Sequence, residues 1–313
     1  MNVLITGSTG FLGKNLASYL ISKEQYSLFT CNRTHQDLNG VVENFIIDSI
    51  DGKTNYTEIL PNIDVVIHAA AVVHGKGNGN SNYTDDELID VNVNGVINLA
   101  RQCIKNKVKR LIFISSIGVN GISSTRPFVS ADRPNPSSLY AESKMRAEDE
   151  LSKVVEGTNL ELVLIRPPMI YGADAPGNFN TLVNCVKKGL PLPLGAVHNQ
   201  RTFVGISNLV DFINVCIKHP NAAGKVLLVG DGTDVSTTEF IKKIILHSKT
   251  KSILVPVPVG LMGLILDLIG KNDLNQKLLG DLQINISESC DLLDWQPPFS
   301  VDECMSQAFL GVQ

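Results

Sequence analysis

The sequence predicts an α/β protein, a doubly wound parallel sheet carrying a smaller, mostly helical C-terminal lobe. Three observations lead there. Short apolar, β-branched runs alternate with segments of helical period from the start of the chain to about Ile165. A glycine-rich string separates the first of these runs from the first helical segment. Beyond Arg166 the alternation loosens and proline and glycine gather, as in loops that wrap a ligand.

Taken in order, Val3–Thr6 reads as a strand, and Leu12, Leu16, Tyr19 and Leu20 then recur at helical spacing through Ile21. Ser27–Cys31 and Asn44–Ile47 read as the second and third strands. Asp64–Ala70 is apolar throughout its middle and reads as a central strand buried on both faces. A helix is predicted from about Asp85 to Lys105, a buried strand over Arg110–Ser115, a helix over Ser138–Val155 and a strand over Leu160–Ile165. Pro167, Pro168, Gly172, Pro176, Gly177, Pro191, Pro193 and Gly195 mark the loop-rich stretch. Phe203–Ile206 and Val226–Val229 read as strands around a helix at Ser207–Lys218, and the remainder reads as helices with short connections. The expected division is a nucleotide-binding domain over 1–165, to which 203–230 returns, and a substrate-binding lobe over 166–313.

Composition narrows the function. With 313 residues, 43% hydrophobic and 19% charged, the chain can bury a sizeable core and is not disordered. A net charge of −4 without a basic block argues against nucleic acid as a partner. The six cysteines stand singly, with no CxxC pair and no histidine spacing that would complete a metal site, so reduced buried thiols in a cytoplasmic protein are expected and no metal is. The N-terminus has no basic region and no cleavage site of a secretory signal. Ile253–Gly270 is nearly all apolar, but Pro256, Pro258 and Asp267 interrupt it. A helix over Leu261–Ile269 is expected rather than a transmembrane span, and peripheral membrane or partner contact is left open.

Gly7-Ser8-Thr9-Gly10-Phe11-Leu12-Gly13 carries the first chemistry. A tight turn there lets backbone N–H groups approach a pyrophosphate, the third glycine lets helix lie on strand, and the helix N-terminus adds partial positive charge. The expected fold is therefore Rossmann-type, with a dinucleotide on Gly7, Thr9, Gly10, Phe11, Leu12 and Gly13. At the end of the second strand an acidic residue would favour NAD, but Cys31-Asn32-Arg33 offers none. Asn32 and Arg33 are cofactor candidates, and Arg33 could pair with a 2′-phosphate, which favours NADP over NAD. Asp48 is a candidate for the adenine amine.

Tyr140 and Lys144 lie four apart on a predicted helix, hence on one face. A free phenol is a poor base at neutral pH, and a cation held beside it favours the phenolate. Ser116, at the mouth of a buried strand where open parallel sheets assemble their sites, is favoured over Ser115 to hydrogen-bond the same substrate oxygen. His68 reads as a satisfied core histidine, His74 as part of a Gly/Asn-rich loop (75–82) that could act as a lid, and Trp295 as packing.

In order and spacing, GSTGFLG, HAAAVVH, NVNG (Asn92–Gly95), FISSIGVNG, YAESK and RPPMIYG (Arg166–Gly172) resemble the extended short-chain dehydrogenase/reductase family, in its nucleotide-sugar epimerase and reductase branch. The resemblance continues through RTFVGISNLVD (Arg201–Asp211) and LLDWQPPFS. It implies catalysis by Ser116, Tyr140 and Lys144, with Lys144 also holding the nicotinamide ribose. It implies further that Ala69, Ala70 and Pro167 flank the cofactor, that Asn92 supports the surroundings of Lys144, and that Asn178 and Arg201 grip the diphosphate of a UDP-sugar. The implied activity is 4-epimerisation of a UDP-hexose or UDP-N-acetylhexosamine. NADPH-dependent reduction of a 4-keto sugar in surface-polysaccharide synthesis is the alternative, and a non-catalytic NADP-binding sensor a remote one. Ile117-Gly118 replaces the acid–base pair of the family's dehydratases, which argues against dehydration. A homodimer is left open.

Overall fold

The computed structural model describes residues 1–35, 38–73 and 83–310, so His74 and the proposed lid loop lie outside the described residues. Seven strands form one wholly parallel sheet: β1 (Asn2–Thr6), β2 (Ser27–Asn32), β3 (Val41–Ile46), β4 (Val65–His68), β5 (Arg110–Ile114), β6 (Glu161–Arg166) and, after a separate strand pair, β9 (Lys225–Leu228). Their spatial order is β3-β2-β1-β4-β5-β6-β9. The order reverses between β1 and β4, so the C-terminal ends of those strands open the crevice in which such sheets take their ligands.

Burial on both faces explains why the central strands read as unbroken apolar runs: all of β4 and β5 is buried. One face is covered by α1 (Phe11–Ser22), through Leu12, Leu16 and Leu20, and by α6 (Ile206–Lys218), through Phe212 and Ile213. The other face lies under a long helical span and under α4 (Leu139–Val155), through Leu99, Cys103, Ala147 and Leu151. That span, expected as one helix over 85–105, is α2 (Asp85–Ile89), a π-turn (Asp90–Gly95) and α3 (Val96–Lys105). Thr84 starts it with a reciprocal capping box to Glu87.

Beyond β6 the chain builds the second lobe. β7 (Met169–Tyr171) and β8 (Phe203–Gly205) form a short parallel pair, joined through α5 (Asn178–Lys187). Both β7 and α5 fall in the stretch expected to be loop. Prolines set its edges, but Phe179, Val183 and Val186 recur at helical spacing and are buried. After β9 come α7 (Thr237–His247), α8 (Val259–Leu268), α9 (Asn272–Leu279), α10 (Ser287–Leu293) and α11 (Val301–Phe309). The lobe's core is aromatic: Phe240 stacks on Phe203 at 4.1 Å and meets Tyr171 edge-on at 5.2 Å. Trp295 packs edge-on against Phe212 at 4.8 Å, and its indole N–H donates to Asp211 at 2.9 Å, as packing requires. All six cysteines are free thiols, and five are buried. No described helix is long and apolar enough to cross a membrane, and the described residues hold no cluster of metal-ligating side chains.

Candidate active site

The glycine string forms the turn between β1 and α1. Gly7 has φ +77°, a conformation open to glycine, and a Cβ there would stand 2.7 Å from the backbone of Ala70. At Gly13 a Cβ would lie 2.2 Å from the Gly7 carbonyl oxygen, whereas at Gly10 it would lie 3.3 Å from that oxygen. Thus Ala70 and Gly13 close tightly on the loop while Thr9 and Gly10 remain exposed. Helix α1 has no side-chain cap and no acidic residue in its first turn. Its leading N–H groups and dipole therefore face an anion without a competing carboxylate, and the cradle fits a dinucleotide pyrophosphate. Phe11 opens α1 but packs into the aromatic core of the second lobe, and a Cβ at Gly172 would stand 3.4 Å from its ring.

Asn32 serves the loop from beneath. It is buried, its amide nitrogen donates to Ser8 Oγ at 2.8 Å and Asn44 Oδ1 at 3.0 Å, and its amide oxygen accepts from Ser8 Oγ at 3.1 Å and from the Thr9 N–H at 3.3 Å. It braces the cradle through Ser8 and Thr9. Arg33, the next residue, is exposed and donates to the Tyr83 hydroxyl at 2.7 Å. Asp48 lies exposed just past β3.

Tyr140, Lys144 and Ser116 meet at the C-terminal end of β5. Ser138 caps α4 by accepting from Ala141 N, which sets Tyr140 and Lys144 in the first turns of the helix. Lys144 is buried; its Nζ donates to the Ile114 carbonyl at 2.9 Å and lies 4.5 Å from the Phe113 ring centre and 5.9 Å from that of Tyr140. Burial depresses its ammonium to about 7, with Glu148 pulling the other way, and burial pushes the half-buried Tyr140 phenol up to about 12. Ser116 caps a single 3-10 turn at Ile117–Val119, with its Oγ accepting from Gly118 N at 3.1 Å. The same Oγ and the Ala141 Cβ each lie 3.3 Å from where a Gly118 Cβ would sit, so the serine borders the start of α4. Ile117 N donates to the Pro167 carbonyl at 2.9 Å, which ties buried Pro167 to this turn.

Ser115 is occupied otherwise. Its hydroxyl donates to Glu148 Oε1, and Glu148 receives Arg166 through Nε at 3.0 Å and Nη2 at 2.5 Å. Arg166 Nη1 donates to Asn120 Oδ1 at 3.0 Å. All four residues are buried, forming a polar floor that fastens β5, α4 and β6 beneath Tyr140 and Lys144. Sequence reasoning overlooked this network, although Glu148 follows Lys144 by one helical turn and Arg166 ends an otherwise apolar strand.

Asn92, inside the π-turn, uses both ends of its amide on Val72: Oδ1 accepts from Val72 N and Nδ2 donates to Val72 O, each at 2.8 Å. Nδ2 also donates to Ser143 Oγ at 3.1 Å. Asn92 therefore reaches the surroundings of Lys144 through Ser143, and it fixes the chain that follows Ala69 and Ala70. His68 accepts or donates at Thr6 Oγ1 over 2.8 Å, stacks on Phe113 and is held near 3 by burial and the Lys144 charge, a neutral core histidine.

The two candidates of the second lobe are placed differently. Asn178 begins α5, exposed, after Gly177 at φ +71°. Arg201 is half-buried between Val235 and Leu282, and its Nη1 donates to the Gly280 carbonyl at 2.7 Å. Burial lowers its guanidinium to about 10, which leaves it cationic at neutral pH.

Residues 3–230 match the model of the NAD dependent epimerase/dehydratase family. A UDP-glucose 4-epimerase of Vibrio cholerae is 38% identical over 99% of this chain and 95% of its own length. An N-acetyl-α-D-glucosaminyl-diphospho-ditrans,octacis-undecaprenol 4-epimerase of Escherichia coli O157:H7 is 28% identical over 84% of this chain and 77% of its own. Among solved structures, UDP-glucuronic acid 4-epimerase from Bacillus cereus in complex with NAD superposes with a TM-score of 0.80 at 19% identity, covering 99% of this chain and 97% of that one.

Proposed function

Since the chain belongs to the NAD dependent epimerase/dehydratase family, we propose that it is a 4-epimerase of a diphosphate-linked hexose, either a UDP-hexose or a UDP-N-acetylhexosamine. The observation that carries this reading is the buried Lys144 ammonium 5.9 Å from the Tyr140 ring, at the strand end that also presents Ser116. Gly7, Thr9, Gly10, Phe11, Leu12 and Gly13 would hold the dinucleotide's pyrophosphate, with Ala69, Ala70 and Pro167 along its nicotinamide half. When bound, the dinucleotide supplies a hydride acceptor and donor.

Everything else is done by the chain. Ser116 Oγ accepts from Gly118 N, so its O–H remains to donate to the oxygen on C4 of the sugar. Tyr140 takes the hydroxyl proton while C4 is oxidised, and returns it after the ketone has presented its opposite face. The unliganded phenol is protonated, and Lys144, which carries its proton at and below about pH 7, favours when charged the phenolate that the oxidising half needs. Neither Ile117 nor Gly118 is a carboxylate, so the turn offers no acid–base pair for eliminating water. Arg201 keeps a positive charge for the substrate diphosphate, and Asn178 is its proposed companion. The names of the V. cholerae and E. coli relatives share a sugar on a diphosphate and a 4-epimerase activity, which supports this substrate class.

One observation favours a second reading, NADPH-dependent reduction of a 4-keto sugar. Arg33 is exposed directly after β2, where no carboxylate stands, and its guanidinium suits a 2′-phosphate. Denaturing the purified protein and identifying any released dinucleotide, then supplying UDP-glucose and UDP-N-acetylglucosamine with and without NADPH, separates the two. Retained NAD with interconversion of C4 isomers and no added cofactor supports the epimerase. Turnover of a 4-keto sugar that requires NADPH supports the reductase, and dinucleotide binding without turnover on either substrate set refutes both.

A further inference from the structure

The apolar segment from Ile253 to Gly270 takes no part in this chemistry. Helix α8 has ten residues, about 15 Å of length against roughly 30 Å of bilayer hydrocarbon, so it does not span. Nor is it absorbed by the protein core. Met262 is the one buried residue of α8, while Leu261 is 51% exposed, Leu264 58%, Ile265 48% and Leu268 77%. Nine of the sixteen exposed large apolar side chains among the described residues fall between 253 and 274, which makes this a patch rather than scatter. Asp267 is turned aside to α9, accepting from Asn275 at 2.8 Å. The bridge between Leu192 and Leu254 brings the segments of Leu190 and Ile253, 56% and 63% exposed, together.

Lysines predominate among the charged residues that flank the patch in sequence. Lys187, Lys188, Lys249, Lys251, Lys271 and Lys277 are all exposed, in a chain whose net charge is −4. Across 249–277 four lysines stand against Asp267 and Asp273. A self-complementary contact between two copies would set lysine against lysine. An anionic lipid surface instead receives the lysines at its headgroups and the leucines at the acyl boundary. We propose that this face of the second lobe seats the protein on an anionic membrane surface, with α8 lying in the plane of the interface. The assignment rests on the patch and its flanking lysines and stands apart from the sugar chemistry.

Co-sedimentation of the full chain with phosphatidylcholine vesicles, with and without about 30% phosphatidylglycerol, tests it. The wild type is expected to sediment with the anionic vesicles and to be released by high salt. Leu264→Gln combined with Leu268→Gln should lower the partition at least about tenfold, and Lys251→Glu combined with Lys271→Glu should also lower it, with urea midpoints unchanged because all four side chains are exposed. Wild type that stays in the supernatant overturns the proposal. In that event sedimentation velocity would tell a dimer that the leucine variant splits from a monomer with an idle patch. Binding undiminished in both variants overturns it equally.

Discussion

Lys144→Met should remove turnover and at the same time stabilise the protein, in a way that depends on pH. The ammonium is buried, and its folded value near 7 lies far below the ordinary 10.5. Between those two values the unfolded chain holds a proton that the folded chain does not, so wild-type stability rises with pH across the window and levels off below about 7. Linkage puts the destabilisation from Lys144 at roughly 4 kcal/mol at pH 7 and roughly 1 kcal/mol at pH 9.5. Methionine carries no such charge and matches the side chain in length. It forfeits the hydrogen bond to Ile114 and the contact over the Phe113 ring, which lowers the gain by the same amount at both pH values. Urea denaturation of both proteins at pH 7 and pH 9.5 is the assay. The stability advantage of the variant over wild type should be about 3 kcal/mol larger at pH 7 than at pH 9.5. Two stability curves that run parallel with pH would refute the reasoning, because the lysine would then be charged in the fold as it is in water.

Other outcomes follow from the same geometry. Tyr140→Phe should lower kcat by about 10²–10⁴ while dinucleotide retention is unchanged, read by steady-state kinetics and by analysis of the released cofactor. Glu148→Gln leaves the Arg166 guanidinium buried with no carboxylate to pair with and should destabilise by about 3 kcal/mol in urea titration, whereas breaking the exposed pair of Lys153 with Glu150 should leave the urea midpoint unchanged. Gly13→Ala, whose Cβ would meet the Gly7 carbonyl at 2.2 Å, should lose bound dinucleotide and about 1–3 kcal/mol of stability; Gly10→Ala, at 3.3 Å from that oxygen, should retain more of both.

The sheet was legible because its central strands are buried on both faces and so carry unbroken apolar runs, as in Asp64–Ala70 and Arg110–Ser115. The glycine cradle and the Tyr140–Lys144 face were legible because each depends on near neighbours in sequence. What stayed hidden depends on distant partners. β7 is three residues long and exists through pairing with β8, more than thirty residues on, so no local period announces it. The π-turn over 90–95 leaves apolar spacing almost undisturbed, and its purpose shows only when Asn92 meets Val72 and Ser143. Asn32 was singled out for a cofactor, yet both ends of its amide are spent on Ser8, Thr9 and Asn44, which only the packing of the loop over β2 reveals. The choice of Ser116 over Ser115 rested on spacing; that the Ser115 hydroxyl is spent on Glu148 shows only in the packing of α4 against β5.

Phe11 belongs to two neighbourhoods at once, rooted in the phosphate turn and planted among the aromatics of the second lobe against Gly172. A displacement of the turn would therefore be felt, through a rigid ring, at Gly172 and the aromatic core of the second lobe. Trimming that ring should loosen dinucleotide retention and the packing of the second lobe together, so the two properties cannot be tuned apart at this position.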